Sequence, residues 1–440
     1  MRKPFSSIAI GLILLSTVVL PPFGHRAFGT SSMAVGALLV SGLYIFLFVA
    51  LRTILRKSQS LPSSPLLIGA VLGVVMTQGA ISFLIQDEFD LIRFSQSYLL
   101  LIVFLLGAFF FALLAQRVPN FRADFAVKLV FYVLLLSSVA GILRFSPFSL
   151  GAIGKPRFFF SEPSHFVLSF LPFFLYMTVT ASPRMKLPLV LLGYAIALLL
   201  QNLTFVVGIA LVAVLVIPLR RFLLLAPIAA LPILFAGVNL DYYSSRVDLF
   251  SGSQNLSTRV YLSGFERAYL NFKDTLGLGV GFQQFGIIGS PGESIEFIGT
   301  LMNVNLLDGA TVASKFIGEF GFLSVTMLLA YLVYFAKSAR WLHEVSMSEV
   351  APRDCRRIFF LSCFVMYCID LFIRGTGYFS SSGFLFIASL VWIRQSGNLR
   401  RRGTSRKITG SVLHRKLPAL TQGSRLLTWS LKNDYAYKNY

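Results

Sequence analysis

The chain has 440 residues, 56% of them hydrophobic and 13% charged, with a mean hydropathy of +0.75. A water-soluble domain carries about a quarter charged residues, so a single soluble core is excluded. The net charge of +21 falls mostly in alternate short loops and a basic tail, which reads as a topology signal plus attraction to anionic lipid and leaves nucleic acid no place as a partner.

At the N-terminus, Arg2 and Lys3 precede an apolar run from Phe5 to Leu20, as in a signal peptide. No small-residue cleavage site follows in "PPFGHRAFG", so we read this run as an uncleaved first helix. Further apolar runs predict helices near residues 33–51, 65–85, 95–115, 127–144, 164–181, 187–201, 204–219, 222–238, 316–335, 358–374 and 378–394. These runs are continuously apolar, unlike the short alternating segments of a membrane barrel. The fold class expected is therefore all-α and polytopic, with about twelve transmembrane helices.

Basic residues fall in alternate loops: Arg52, Arg56 and Lys57, then Arg117 and Arg122, Arg184 and Lys186, Arg220 and Arg221, and Arg340 to Arg357. The loops between them are acidic or balanced, as in Asp87, Glu88 and Asp90. The positive-inside asymmetry then places both termini in the cytoplasm. It divides the chain into helices one to nine (1–239), a long loop on the opposite face (240–314), helices ten to twelve (315–395) and a basic cytoplasmic tail (396–440). Cys355, Cys363 and Cys368 form neither a disulfide framework nor a CxxC metal pair.

The segment "GKPRFFFSEPSHFVLSFLPFFLY" enters the sixth helix. Pro163 suits the first turn, which puts Glu162 at the cap and His165 one turn in. Glu162 is then either a helix cap or a functional carboxylate. Lys155 and Arg157, just upstream, sit at headgroup depth, where they snorkel to lipid phosphates or bind a phosphorylated ligand.

In the long loop, "STRVYLSGFERAYLNF" predicts an amphipathic helix capped by Ser257 or Thr258. Leu262, Phe265, Tyr269 and Phe272 share a stripe suited to the membrane surface, and Arg259, Glu266 and Arg267 point elsewhere. The glycines of "GLGVGFQQFG" follow no strand, so a tight turn near helix ends is expected in place of a nucleotide loop. Asp370 and Arg374 are spaced to pair across one turn of the eleventh helix.

The segment "FFFSEPSHFVLSFLPFFLY" resembles the F-x-E-P-S-H-F signature of bacterial O-antigen and exopolysaccharide polymerases, the Wzy type of the O-antigen ligase-like superfamily. "STRVYLSGFERAYLNFKDTLGLGVGFQQFG" is similar to their large periplasmic loop, and "KFIGEFGFLSVTMLLAYL" to the E-x-G-x-x-G helix after it. This resemblance implies a glycosyltransferase in the bacterial inner membrane. It would move a growing glycan from undecaprenyl diphosphate to another undecaprenyl-diphosphate-linked oligosaccharide, at the periplasmic face. Such transfer calls for no nucleotide and no cofactor, and requires no metal. It needs cations for the diphosphate, for which Arg157, Arg259 and Arg267, with Lys155, are the candidates. It also needs a base for the acceptor hydroxyl, either Glu162 or His165. A chain-length regulator and a flippase are the protein partners it implies.

Related ligases carry a His in the long loop, whereas no His lies between Leu240 and Gly318 here, which favours the polymerase. A lipid-linked glycan or sugar transporter is the alternative from another class. Carriers of that kind place their longest central loop in the cytoplasm, and the midpoint loop here is about as short as "SPRMK".

Overall fold

The computed structural model describes residues 5–29, 33–54, 65–143, 145, 160, 162–218, 220, 243, 246, 255–301, 309–348 and 354–396. Among these, the regular elements are helices: α1 (Phe5–Ala27), α2 (Ala34–Ile54), α3 (Pro65–Ile85), α4 (Leu91–Arg117), α5 (Asn120–Ile142), α6 (Pro163–Thr180), α7 (Pro183–Leu199) and α8 (Leu203–Val216). They continue with α9 (Leu256–Asp274), α10 (Glu293–Leu301), α11 (Val312–Met347), α12 (Cys355–Phe372) and α13 (residues 381–396). Seven of them, α1 to α6 and α11, are long and apolar enough to cross a membrane. Over the described residues the chain is all-helical, and its long apolar helices make it a multi-pass membrane protein.

The apolar runs dictate these helices because lipid offers no partner for backbone polar groups, and a helix satisfies them within its own segment. Each expected helix is found except the one at 222–238, which lies outside the described residues, as does the tail beyond Ser396. The first helix runs through Pro21 and Pro22, and there Gly36 of α2 lies against the backbone of Leu20 and Pro21. A side chain at Gly36 would prevent that approach. Gly107 against Ser41, where α4 crosses α2, is a second small-residue contact of the kind that lets membrane helices pack closely.

α6 is the central helix. Of its span 78% is buried, against 22% for α3, and it packs on α5, α8, α11 and α12. Phe166, Phe170 and Phe174 run along one side of it; Phe170 stacks on Phe131 of α5, and Phe166 and Phe170 meet Phe205 of α8 edge-on. Ring pairs in these offset and edge-on arrangements are worth about 0.5–1.5 kcal/mol each beyond their buried area, and they hold the rotation of α6. That rotation determines where Glu162 and His165 project.

α9 departs from the sequence expectation. Its cap is Asn255, whose side chain accepts from Ser257 N at 3.0 Å, in place of Ser257 or Thr258. Its buried face is Thr258, Ser263, Gly264, Arg267, Ala268 and Asn271, and Tyr269 of the aromatic stripe is exposed. The reason is steric: α9 packs on α11, and Gly264 meets the Gly309 carbonyl and Ser314 there.

α11 is broken at Gly321, which has φ 55° and ψ −131°. The glycine loop docks at this break. Phe322 N donates to Gly277 O at 2.8 Å, while Val280 N and Gly281 N donate to Gly318 O and Glu319 O, each at 3.0 Å. Gln78 of α3 donates its Nε2 to Glu319 O at 2.8 Å. The backbone groups released by the break are thus satisfied from the loop and from a neighbouring helix. The expected tight turn is present, and it serves a break inside a helix where a helix end was expected.

Candidate active site

Glu162 occupies the cap position of α6 with extended backbone (φ −133°, ψ 151°) and Pro163 follows at the first helical position. Its side chain makes no capping hydrogen bond. The carboxylate turns to side chains: Ser164 Oγ donates to Oε2 at 3.0 Å, Arg374 Nη2 donates to the same oxygen at 3.3 Å, and His165 Nε2 lies 3.9 Å from it. The Glu162 side chain is 49% exposed and that of His165 14%. Burial raises the Glu162 carboxyl, but His165 and then Arg374, aided by the hydrogen bonds from Ser164 and Arg374, outweigh it. The group is held below the usual carboxylate range.

The structure corrects the pairing of Asp370 with Arg374. α12 ends at Phe372, so Arg374 lies beyond the helical repeat and reaches Glu162, 212 residues away in sequence. Asp370 accepts from Thr376 N at 2.9 Å and from the Ser382 hydroxyl. The same connection delivers Tyr378, whose hydroxyl donates to Glu319 Oε2 at 2.9 Å. The nine residues from Arg374 to Ser382 therefore engage three carboxylates, on α6, α11 and α12.

A second imidazole flanks the first. The ring of His25, in the last turns of α1, meets that of His165 edge-on with centroids 6.3 Å apart. Its Nδ1 is buried and has no hydrogen-bond partner among the described residues.

Of the expected phosphate ligands, Lys155 and Arg157 lie outside the described residues. Arg259 has its guanidinium over the ring of Phe297 of α10, 4.7 Å from the centroid. Arg267 is 4% exposed and lies 5.6 Å from the centroid of Phe285, and burial pushes its guanidinium down from the ordinary value. Its depth follows from sharing the close-packed face of α9 with Gly264. Among the carboxylates of the long loop, Glu266 caps α10 by accepting from Glu293 N at 2.7 Å and Ser294 N at 3.1 Å.

α9 is nevertheless tied to the Glu162 neighbourhood. Tyr261 donates its hydroxyl to Phe372 O at 3.1 Å, and Gly375 N donates to Ala310 O at 2.7 Å. Both ends of the loop region thus grip the connection that carries Arg374.

Sequence reasoning missed Arg374 as a neighbour of Glu162, and it missed the cluster around Glu319. That carboxylate is fully buried, with Tyr378 as donor and with Lys315 one turn before it. Lys315 Nζ donates to Gln283 Oε1 at 3.3 Å and lies 5.3 Å from the Tyr378 ring centroid. An acid in an apolar run is itself a signal of a special site, and "KFIGEFGF" carried that signal.

No family model, curated protein or solved structure matches the chain. The functional reading therefore rests on the side chains themselves.

Proposed function

We propose that this chain is a polysaccharide polymerase, a membrane-embedded glycosyltransferase that extends lipid-linked glycans by block transfer. In this reading the acceptor sugar hydroxyl attacks the anomeric carbon of the donor glycan. The bond from that carbon to the diphosphate oxygen breaks, undecaprenyl diphosphate leaves, and the hydroxyl proton passes to a carboxylate or imidazole.

The observation that carries the reading is Glu162. It holds a cap position without capping, half-exposed, with a cation and an imidazole on one of its oxygens. A carboxylate that only ended a helix would bond the free amides of the first turn. Glu162 keeps an ionised, accessible oxygen where acceptor deprotonation needs a base, and His165 is placed to orient it or to share the proton. The F-x-E-P-S-H-F resemblance falls on these same residues. The lack of a His between Leu240 and Gly318 favours the polymerase over the ligase. The reading also carries the finer topology: twelve spans in a bacterial inner membrane, termini in the cytoplasm, and residues 240–314 in the periplasm.

Deleting the gene and restoring it on a plasmid tests the function. Loss of long polymer with build-up of single repeats on the lipid carrier, reversed by the wild-type gene, is the expected result. Build-up of repeats confined to the cytoplasmic leaflet would assign the chain to transport. Full-length polymer left on the carrier would assign it to ligation.

A further inference from the structure

Arg374 leaves α12 past its last turn and contacts Glu162 through Nη2 alone, at 3.3 Å. Among the described residues this is the one hydrogen bond its guanidinium makes, and 34% of the side chain is exposed. A guanidinium carries five N–H donors in a fork that fits two phosphate oxygens at once, so a single contact leaves most of that capacity unused. His165 stands beside the same carboxylate, and His25 packs edge-on against the His165 ring. One anion is thus faced by a guanidinium and an imidazole from separate parts of the chain, with a second imidazole packed on the first. This cluster suits a second, more highly charged anion better than it suits Glu162 alone. Two parallel charge-assisted bonds to a phosphate are stronger and better oriented than one to a carboxylate oxygen.

We propose that Arg374 is a phosphate-binding residue of this site, held by Glu162 in the free protein and passed to an anionic phosphate oxygen of a lipid-linked substrate on binding. The inference rests on the glycan-transfer reading above and adds to it a residue and an exchange. The exchange has a chemical consequence. As Arg374 turns to the phosphate it takes away one of the attractions that hold the Glu162 carboxyl low, so the group becomes a better proton acceptor as the leaving group gains its counterion.

The test is binding of undecaprenyl phosphate to the purified full-length protein in detergent micelles, with undecaprenol as the uncharged comparison. Arg374→Gln should weaken binding of undecaprenyl phosphate by about 10- to 100-fold, the loss expected for a charged hydrogen bond. Glu162→Gln should bind it at least as tightly as wild type, because the internal competitor for Arg374 is gone. A pair that merely fastens α6 to the next connection predicts that both variants weaken together, and that outcome would overturn the exchange. Unchanged binding by Arg374→Gln would overturn the assignment itself. Should Arg374→Gln fail to accumulate, Arg374→Lys keeps the charge without the fork and should show an intermediate loss. Inorganic pyrophosphate separates the sources of the anion: Arg374-dependent competition supports recognition of the phosphate itself, and its absence confines the proposal to the lipid-borne form. A wild-type protein that prefers undecaprenol, or binds neither lipid, would remove the glycan-transfer reading as well.

Discussion

The hydroxyl of Tyr378 donates to Oε2 of Glu319 at 2.9 Å and joins the connection after α12 to the turn of α11 that precedes its break. Glu319 is fully buried, and its other oxygen, Oε1, has no hydrogen-bond partner among the described residues. Tyr378→Phe keeps the ring stacked on Phe282 and removes the donor. Leaving a buried polar group with one partner fewer costs about 1–3 kcal/mol. Thermal unfolding in detergent should show a lower midpoint for this variant, and an unchanged midpoint would mean that water already satisfies Glu319.

A second prediction concerns the break itself. In Gly321→Ala the new methyl would run into the Gly277 carbonyl, at a backbone conformation closed to other residues. Strain of this type costs about 1–3 kcal/mol, before any loss of the Phe322 to Gly277 hydrogen bond. Gly69→Ala and Gly73→Ala, where a methyl meets open space on α3, are the matched comparisons. Membrane abundance should fall for the first variant and hold for the other two. Equal abundance of all three would show that the loop is not anchored at the break.

Replacing Glu162 separates the cap from the base. Since its side chain makes no capping bond, Glu162→Gln should leave folding and abundance close to wild type. An amide cannot take up the acceptor proton, and positioned proton transfer is worth about 10² to 10⁴ in rate. Gel analysis of cell-surface glycan should show single repeats and no ladder. Normal ladders from Glu162→Gln beside a silent His165→Gln would transfer the role of base to His165.

The pH profile offers a fourth check. In the folded protein His165 and Arg374 together override burial and hold the Glu162 carboxyl low. A depressed carboxyl adds stability that is complete above its unfolded value and is lost as pH falls through the folded one. Its ionised, base-competent form follows the same limb. Arg374→Gln leaves burial in place and removes an opposing attraction, so the acidic limb of the residual transfer rate should move to higher pH. A limb that stays in place while the rate drops would assign the limb to a group other than Glu162.

The helices were legible because an apolar run of membrane length has one way to satisfy its backbone, whatever its neighbours. Glu162 at the cap with Pro163 after it was legible for a similar reason, since proline at a first turn is a local preference. The partners were not. The four-residue repeat pairs Arg374 with Asp370, a rule that lapses where the helix stops, at Phe372. Tyr378 with Glu319, and Tyr261 with the Phe372 carbonyl, join residues 59 and 111 positions apart, distances that periodicity does not span. On α9 apolar content is a poor guide to the contact face. In the structure small residues set how near α11 can come.

The break at Gly321 divides α11 unequally. The piece from Phe322 to Met347 is about 39 Å long at 1.5 Å per residue, more than the roughly 30 Å of hydrocarbon in an average bilayer. Its last turns carry Lys337, Arg340 and Glu344, so the excess is a polar extension of the apolar stretch. The short piece from Val312 to Phe320 is fastened to the glycine loop, to Gln78 and to Tyr378, and the far end of the long piece is fastened as well, with His343 against the Leu215 carbonyl and Lys186 donating to Ser346. Held at both ends, the helix sets a fixed span between the buried Glu319 and its polar tip.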